Sequence, residues 1–395
     1  MLRFSTSGES HGKGLIGIIE GLPAGLQIDE ELINRELARR QKGYGRGERM
    51  RIETDKVEIF AGVRDRKTLG SPISFLIRNR DYENWQEIMN SGDCRCVDSR
   101  AVTRPRPGHA DLPGAMKYQH QDMRNVLERA SARETASRVA AGAFFKAFLK
   151  HFGIFIYSQV TSIGSIKAEV QNQNKEKLSQ FYALVEESPV RCADKKSEAE
   201  MIRAIEQAKG EGESLGGSFE VGAVSVPPGL GSHVGWEYKL DGQIAAALVS
   251  IPAIKAVEIG DGIANAASPG SGVHDEIAYR RDKGLYRTSN RAGGIEGGIS
   301  NGETIWARAY MKPIPTLYKP LLSVNTATWQ EERAQVERSD VCAVPAAAVV
   351  AEAMLAFVLA RACREQFAGE SMEQAEQAYK NYREYLDKVW KWKKI

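Results

Sequence analysis

The segment from Pro345 to Ala360 constrains the fold more than any other part of the chain, because it is nearly all apolar. Proline is favoured at the first position of a helix, and a helix that is apolar on every side requires burial. We therefore expect a helix that begins near Pro345 and lies in the interior. The chain has 395 residues, of which 42% are hydrophobic and 27% charged, as in a globular protein with a large core.

A second long helix is predicted from about Ala132 to Lys150. Alanine, valine and phenylalanine recur there at helical spacing and give the helix one apolar face. Ser131 and Glu134 have the spacing of a capping box at its start. We expect this helix to pack its apolar face against the core.

Segments rich in β-branched residues predict strands that alternate irregularly with the helices. The expected strands are 15–21, a hairpin formed by 57–63 and 71–77, and the segments 219–226 and 304–311. A helix at 241–249, a polar surface excursion with a helix from 167 to about 196, and a charged helix from 370 to 394 complete the pattern. Antiparallel hairpins mixed with long helices predict an α+β fold.

The charge balance argues against a protein that binds nucleic acid or a membrane over a broad surface. The chain has 54 Lys and Arg residues against 51 Asp and Glu residues, a formal net charge of +3. The first residues lack the apolar stretch of a secretory signal, and no unbroken apolar run approaches the roughly 20 residues of a membrane span. We expect a cytoplasmic protein. The five cysteines have the spacing of neither a disulfide framework nor a zinc site.

Positive charge is concentrated locally between Arg35 and Arg51. Asp29 is a favourable N-cap for a helix that ends near Gln41, and its last turn leads into the glycine-rich loop 43–47, which carries Arg46. The seven basic residues of this segment are Arg35, Arg39, Arg40, Lys42, Arg46, Arg49 and Arg51. A nucleic-acid-binding surface is one interpretation, but the near-neutral total charge argues against it. Arginine forks match carboxylates and phosphates, which favours a small anionic ligand.

Two glycine-rich loops carry histidines that can transfer protons near neutral pH. Gly8-Glu9-Ser10-His11-Gly12 has the letters of the serine hydrolase nucleophile elbow, but a strand follows it where that motif needs a helix. We interpret it as a ligand-binding turn, and an exposed hairpin histidine is the alternative. Arg106-Pro107-Gly108-His109-Ala110-Asp111 is stiffened by proline, and a surface pair of His109 with Asp111 is its alternative.

Four further segments offer groups for an anion or a flat ring. Arg129 and Arg133 lie near the start of the second helix, where free N–H groups favour an anion, although Ser131 by itself is an ordinary cap. Segment 290–302 is dense in glycine but is not a P-loop. The strand at 304–311 leads into Lys312-Pro313-Ile314-Pro315-Thr316. Arg338-Ser339-Asp340 precedes the apolar helix, and a structural Arg–Asp pair is the alternative there.

Taken together, these motifs resemble the chorismate synthase family in order and spacing from Phe4 to about Arg364. The most specific motifs are those at 8–12, 106–111 and 338–340. The resemblance implies a single catalytic domain over residues 1–365, with helices sandwiched between two antiparallel sheets. Residues 366–395 are expected to form a charged helical extension, and the resemblance implies a homotetramer.

The resemblance also implies the reaction. It is a lyase reaction, EC 4.2.3.5, in which 5-enolpyruvylshikimate 3-phosphate becomes chorismate and phosphate by anti-1,4 elimination, completing the shikimate pathway to the aromatic amino acids. Members of the family require reduced FMN although the reaction has no net redox change. Either NADPH or an external flavin reductase is expected to supply the reduced flavin. The substrate has two carboxylates and a phosphate, which agrees with the arginines found above.

The same resemblance implies roles for individual residues. His11 is expected to serve the departing phosphate, His109 the reduced flavin and Asp340 the removal of the ring proton, with hydrogen bonds from Ser10 and Ser131. The arginines expected to hold substrate anions are Arg40, Arg46, Arg49, Arg106 and Arg133, of which Arg40 and Arg46 are also expected NADPH contacts. The expected FMN contacts are Arg129, Ala130, Ser131, Ala253, Gly297, Lys312, Pro313, Ile314, Pro315, Thr316 and Arg338.

Overall fold

Two antiparallel sheets are the frame of the computed structural model, which describes residues 1–47, 53–92, 94, 96–170 and 178–392. The strands are β1 Arg3–Ser7, β2 Gly14–Glu20, β3 Val57–Ala61, β4 Val63–Arg64, β5 Lys67–Thr68, β6 Ile73–Arg78, β7 Phe155–Ile163, β8 Ile166–Lys167, β9 Gly217–Val224, β10 Ile254–Ile259, β11 Ile277–Arg280, β12 Gly284–Arg287, β13 Ile295–Glu296, β14 Ile299–Ser300, β15 Ile305–Met311, β16 Leu322–Asn325 and β17 Gln330–Arg333. The first sheet has the order β1-β2-β6-β3 and the second β10-β15-β9-β7-β8. Every neighbouring pair in both sheets is antiparallel.

Helices fill the space between the two sheets. The α-helices are α1 Glu30–Gln41, α2 Gln86–Met89, α3 Asp111–Tyr118, α4 Arg124–Ala130, α5 Thr135–His151, α6 Leu178–Glu187, α7 Lys195–Glu211, α8 Leu240–Val249, α9 Gly262–Ala266, α10 Val344–Gln366 and α11 Met372–Trp390. Helix α5 contacts β2 of the first sheet, α10 contacts β7 and β9 of the second, and α5 and α10 pack against each other. The prediction of an α+β fold with helices sandwiched between two antiparallel sheets is confirmed.

The apolar helix α10 occupies the centre, as its sequence predicts. It is long and apolar enough to cross a membrane, with a mean hydropathy of 1.9 in its most apolar window, but 89% of that window is buried inside the protein. Gly142 of α5 lies so close to α10 that a Cβ atom there would come within 2.3 Å of the Cβ of Ala353. Small residues at this crossing therefore allow the two central helices to approach closely.

One charged residue of α10 is buried with the apolar ones. Glu352 is fully buried and accepts hydrogen bonds from Arg39 at 2.8 Å, Lys146 at 2.6 Å, Arg191 at 3.2 Å and the hydroxyl of Ser158 at 2.6 Å. Burial acts to raise the pKa of Glu352, but the surrounding cations hold it well below its usual range. This network fixes α1 against the central helices.

The observed elements agree with most of the predicted ones. Asp29 caps α1 by accepting a hydrogen bond from the backbone of Glu31 at 3.1 Å. The predicted hairpin is present as the antiparallel pair β3–β6, and the short hairpin β4–β5 lies between them in sequence. Helix α11 follows the core helix, and its Tyr379 and Tyr382 pack against Phe367. The division of the chain after residue 365 stays a prediction.

One local prediction is wrong. The capping box before α5 does not form, because Ser131 accepts from the backbone of Arg133 in a 3-10 turn while the carboxylate of Glu134 binds Arg138 at 2.9 Å. The polar segment from 167 to about 196, whose residues 171–177 lie outside the described residues, carries the expected helix as α6. Phe181 of α6 is buried against Tyr157 of β7, so this helix also covers part of the second sheet.

Candidate active site

A cavity of about 1010 Å³ lies where the loops with most of the predicted site residues meet. This volume is at the upper end of the range usual for small-molecule sites. Its lining residues extend from Ser10 to Val350, so the fold brings together segments far apart in sequence. The predicted site residues that line it are Ser10, His11, Arg40, Arg46, Arg106, His109, Ala130, Ser131, Arg133, Ala253, Lys312, Ile314, Pro315, Thr316, Arg338 and Asp340.

His11 is held by a carboxylate from helix α4. Its backbone N–H donates to Oε2 of Glu128 at 2.7 Å, and its Nδ1 lies 2.9 Å from Oε1 of the same residue. Arg124 donates to Oε1 of Glu128 at 3.1 Å. Burial acts to raise the pKa of Glu128, but its hydrogen bonds to His11 and the charges of His11 and Arg124 lower it. Glu128 is therefore an ionised group that orients the imidazole ring.

The other contacts of His11 come from the segment after β6. The ring of Trp85 stacks on the imidazole with 4.0 Å between centroids and 25° between planes. Asp81, which also pairs with Arg338 at 2.9 Å, has its Oδ2 3.9 Å from Nε2 of His11. Asn79 donates to the carbonyls of the 8–12 loop and fixes it to the end of β6. The alternative of an exposed hairpin histidine is wrong, because His11 is enclosed by these groups.

His109 is also paired with a buried carboxylate. Its Nδ1 lies 2.6 Å from Oδ1 of Asp111, which has 0% exposure. Arg106 donates to the same carboxylate at 2.8 Å and to the hydroxyl of Thr316 at 2.8 Å. Burial acts to raise the pKa of Asp111, but its hydrogen bonds to His109 and Arg106 hold it well below its usual range. The alternative of a surface His–Asp pair is therefore wrong.

Arg40 and Arg133 bring buried positive charge to the cavity. Both approach Asp55, Arg133 at 2.6 Å and Arg40 at 3.6 Å. Nη1 of Arg40 and Nη2 of Arg133 are buried and have no hydrogen-bond partner among the described residues. Burial lowers the pKa of Arg40 to about 10; Asp55 opposes this, and the charges of Arg46 and Arg133 add to it. A bound anion in the cavity would relieve the repulsion among these guanidinium groups.

Known proteins of similar sequence identify the family. The sequence model of chorismate synthase matches residues 2–363. The chain belongs to the chorismate synthase family. It is 64% identical over 395 residues to chorismate synthase of Syntrophomonas wolfei, covering 100% of both chains. It is 54% identical over 393 residues to that of Symbiobacterium thermophilum, covering 98% of this chain and 99% of the relative.

A solved structure supports the same assignment. A crystal structure of chorismate synthase matches with a TM-score of 0.80 and 45% identity, covering 98% of this chain and 99% of that chain. The chorismate synthase family acts in the shikimate pathway and has the lyase class EC 4.2.3.5, so the predictions of family and enzyme class are confirmed.

Asp340, the predicted chorismate synthase base, is paired with a predicted substrate-binding arginine. Nη1 of Arg46 lies 2.8 Å from its Oδ2, and the backbone of Gly47 donates to Oδ1 at 2.7 Å. The 43–47 loop packs closely, since a Cβ at Gly45 would come within 2.9 Å of Ile205. The alternative pair of Arg338 with Asp340 does not form, because Arg338 binds Asp81.

One wall of the cavity has residues that fit a phosphate-bearing cofactor. Nζ of Lys312 donates to the carbonyl of Gly108 at 3.0 Å, and the backbone of Lys312 donates to the carbonyl of Ala253 at 2.9 Å. This joins three cavity segments into one wall. Ala253 has a positive φ of 68°, which turns the backbone tightly beside the cavity. Burial lowers the pKa of Lys312, and the nearby charge of Lys255 lowers it further. A bound phosphate would oppose both effects.

Four predicted site residues are not among those that line the cavity. Arg49 lies outside the described residues. Arg129 donates to the carbonyls of Thr6 at 2.9 Å and Gly8 at 3.2 Å, so it is engaged with the end of β1. Gly297 lies in the β13–β14 turn, where its φ of 62° accounts for a glycine, and Pro313 lies between two lining residues. Arg129 therefore does not join Arg133 in the cavity lining, and the FMN contacts of Arg129, Gly297 and Pro313 stay predictions.

Sequence reasoning missed several residues that the fold places in the site. None of these residues belongs to a motif that the sequence singles out; they are Glu128, Arg124, Trp85 and Arg100. Glu128 directly precedes the predicted segment 129–135. Arg124 and Glu128 have the i, i+4 spacing of an ion pair on α4, which is the one local signal that could have found them. The contact of Glu128 with His11 depends on the docking of α4 against the first sheet and the 8–12 loop.

Proposed function

We propose that this protein converts 5-enolpyruvylshikimate 3-phosphate into chorismate and phosphate, with reduced FMN bound beside the substrate. The observation that carries this proposal is the joining of two His–carboxylate pairs and a buried arginine cluster in one cavity. A substrate with two carboxylates and a phosphate matches the positive charge of Arg40, Arg46 and Arg133, which line the cavity. Family membership makes this reaction the expected one.

The reaction breaks one C–O bond, to phosphate, and one C–H bond of the ring. His11 donates a proton to the departing phosphate, which carries away the electron pair of the C–O bond. Asp340 assists removal of the ring proton. A substrate anion that binds Arg46 competes with the Asp340 carboxylate for this arginine. Substrate binding thereby releases the carboxylate for the proton. Reduced FMN, when bound, supplies electron density transiently and recovers it, so no net oxidation results.

The other residues bind and exclude water. Arg40, Arg106 and Arg133 would hold substrate anions, while His109, Lys312 and Ala253 would hold the flavin; all of these residues line the cavity. Ser10 and Ser131 contribute hydroxyl groups to the lining. Filling the cavity with substrate and flavin together removes water from the reacting atoms and strengthens these contacts.

We also propose the remaining properties that the family resemblance implies. They are a homotetramer in the cytoplasm, without nucleic-acid or membrane partners, and reduction of FMN either by NADPH at Arg40 and Arg46 or by an external flavin reductase. Exposed apolar side chains support assembly, among them Trp236 at 82% exposure and Val234 at 81%. The total charge of +3 supports the absence of a broad anionic partner.

An anaerobic assay tests the proposed function. Purified protein, chemically reduced FMN and 5-enolpyruvylshikimate 3-phosphate are expected to give chorismate and phosphate in equal amounts, with no turnover when reduced FMN is replaced by oxidised FMN. Repeating the assay with NADPH and oxidised FMN distinguishes internal reduction from dependence on an external reductase. Absence of chorismate with reduced FMN present, from protein that binds the substrate, would contradict the proposal.

A further inference from the structure

We infer that Glu128 is a positioning residue for the reaction, which fixes the ring orientation and tautomer of His11 so that Nε2 exchanges the proton with the departing phosphate. This inference rests on the proposed function. It concerns a residue of helix α4 that does not line the cavity, whereas its neighbour Leu127 does. Glu128 therefore acts on the substrate through His11.

Glu128 holds both the backbone and the side chain of the His11 loop. Its main-chain carbonyl accepts from the backbone of Ser10 at 2.9 Å, and its Oε2 accepts from the backbone of His11 at 2.7 Å. The imidazole Nδ1 lies 2.9 Å from Oε1 and 3.0 Å from Oε2. One residue thus determines where the loop lies and how the ring is turned.

The surroundings make this carboxylate a fixed acceptor. Glu128 is 2% exposed and receives a hydrogen bond from Arg124, so it has little freedom to rotate away. Trp85 stacks on the imidazole at 4.0 Å, and the guanidinium of Arg100 lies 4.1 Å from the Trp85 ring. The stack fixes the plane of the imidazole, and Glu128 fixes its rotation within that plane.

This arrangement determines which nitrogen takes part in proton transfer. A carboxylate accepts but does not donate, so Nδ1 carries a proton in both the neutral and the cationic ring. When the C–O bond of the substrate breaks, Nε2–H gives its proton to a phosphate oxygen, and the ring becomes the neutral Nδ1–H tautomer. The Nδ1 proton remains on the ring, and Glu128 keeps its charge throughout.

The tautomer is measured directly by NMR of protein labelled with 15N-histidine. The chain has six histidines, and the His11 signals are assigned by their loss in His11→Asn. We expect the neutral ring of His11 in the wild-type protein to carry its proton on Nδ1, and Glu128→Gln to give a mixture of the two tautomers. A wild-type His11 with its proton on Nε2 overturns the inference, and this measurement needs neither substrate nor a variant of Glu128.

Kinetics give a second readout that a merely structural role would not move. In Glu128→Gln we expect kcat to fall roughly 10- to 100-fold with KM within about 3-fold of wild type. The alkaline limb of the kcat profile should move to lower pH, because the variant removes a negative charge from beside the imidazole. Glu128→Asp, which keeps the charge, should return the limb toward its wild-type position even if its rate is low.

Glu134→Gln is the matched control. Glu134 is also a buried glutamate with an arginine partner, Arg138 at 2.9 Å, but it does not line the cavity or contact a histidine. It should leave the His11 tautomer and the pH profile as in wild type. An unchanged alkaline limb in folded Glu128→Gln overturns the inference, whereas absence of turnover in wild type contradicts the proposed function and leaves the tautomer test intact.

Discussion

His109 takes its carboxylate partner from two residues further along its own loop, whereas His11 takes its partner from a helix 117 residues away. Asp111 is shared between His109 and Arg106, both within the same short segment. Glu128 is shared between His11 and Arg124, and the contact with His11 exists only when α4 docks against the first sheet. The same chemical unit is thus assembled locally in one case and by tertiary structure in the other.

The comparison shows what each pair depends on. A pair within a proline-stiffened loop depends on the conformation of that loop, so its geometry is insensitive to small shifts of the surrounding elements. A pair formed between a loop and a helix changes when either element moves. We therefore expect substitutions in the first sheet and α4 to affect His11, and substitutions around Arg106 and Thr316 to affect His109.

Removal of either histidine ring should have the largest effect. We expect His11→Ala and His109→Ala each to lower turnover by roughly 10- to 10⁴-fold, the usual contribution of a positioned proton-transfer group, with the fold intact. Turnover is measured with saturating reduced FMN, and folding by circular dichroism. Wild-type turnover in both variants would remove the histidines from the mechanism, and a loss in one alone would show that only one pair acts on protons.

Arg46 forms a third pair, with Asp340, and we expect a substrate anion to separate the two side chains. Arg46→Ala should lower kcat/KM by roughly 10- to 100-fold, because each charge-assisted hydrogen bond lost costs about 1.5 to 3 kcal/mol. Arg46→Lys should recover only part of this, since a point charge cannot reproduce the planar fork. Both variants are assayed with saturating reduced FMN, so that substrate capture is separated from flavin binding.

The structure adds a requirement to the Arg46 test. The sequence places Arg46 between two glycines and gives no sign of packing, but the guanidinium is bound to Asp340 and the loop packs against Ile205. Arg46→Ala therefore leaves the Asp340 carboxylate with one fewer partner. A large decrease in Tm with unchanged kcat/KM would show that the pair is structural.

The elements that the sequence predicts best are those with strong local patterns. The apolar pattern after Pro345 is sufficient to predict the buried helix α10, and Asp29 is sufficient to predict the start of α1. The motifs at 8–12 and 106–111 can also be recognised in the sequence, because a short loop that combines glycine with histidine is unusual. Glu128 and Trp85 could not be found in this way, since a glutamate in a helix and a tryptophan before a short helix have ordinary structural roles.

Flavin binding tests whether both histidine pairs belong to one ligand-filled space. We expect oxidised FMN to bind at least about 5-fold more tightly when the substrate is present, because the two ligands would share one basic cavity and exclude water together. Titration followed by flavin fluorescence measures this coupling. Equal affinities with and without the substrate would count against a shared pocket for the two ligands and weaken the comparison between the two histidine pairs.

The smallest expected effect concerns the local pair and its dependence on pH. Asp111→Asn should lower Tm at pH 7 by about 5 °C, because a buried charge pair with Arg106 and His109 is worth ~3 kcal/mol when one partner is removed. The pKa of Asp111 is held below its usual range in the folded protein, so this stabilisation is present above the unfolded carboxyl pKa of about 3.9 and is lost as the pH falls toward the folded value. The difference in Tm between wild type and variant should therefore be constant from pH 5 to 7 and narrow below about pH 4. Asp387→Asn, at an exposed position of α11, is the control and should change Tm little at any of these pH values. A Tm difference for Asp111→Asn that stays the same down to pH 3 would mean that the stabilising partner of Arg106 and His109 is not an ionised carboxylate.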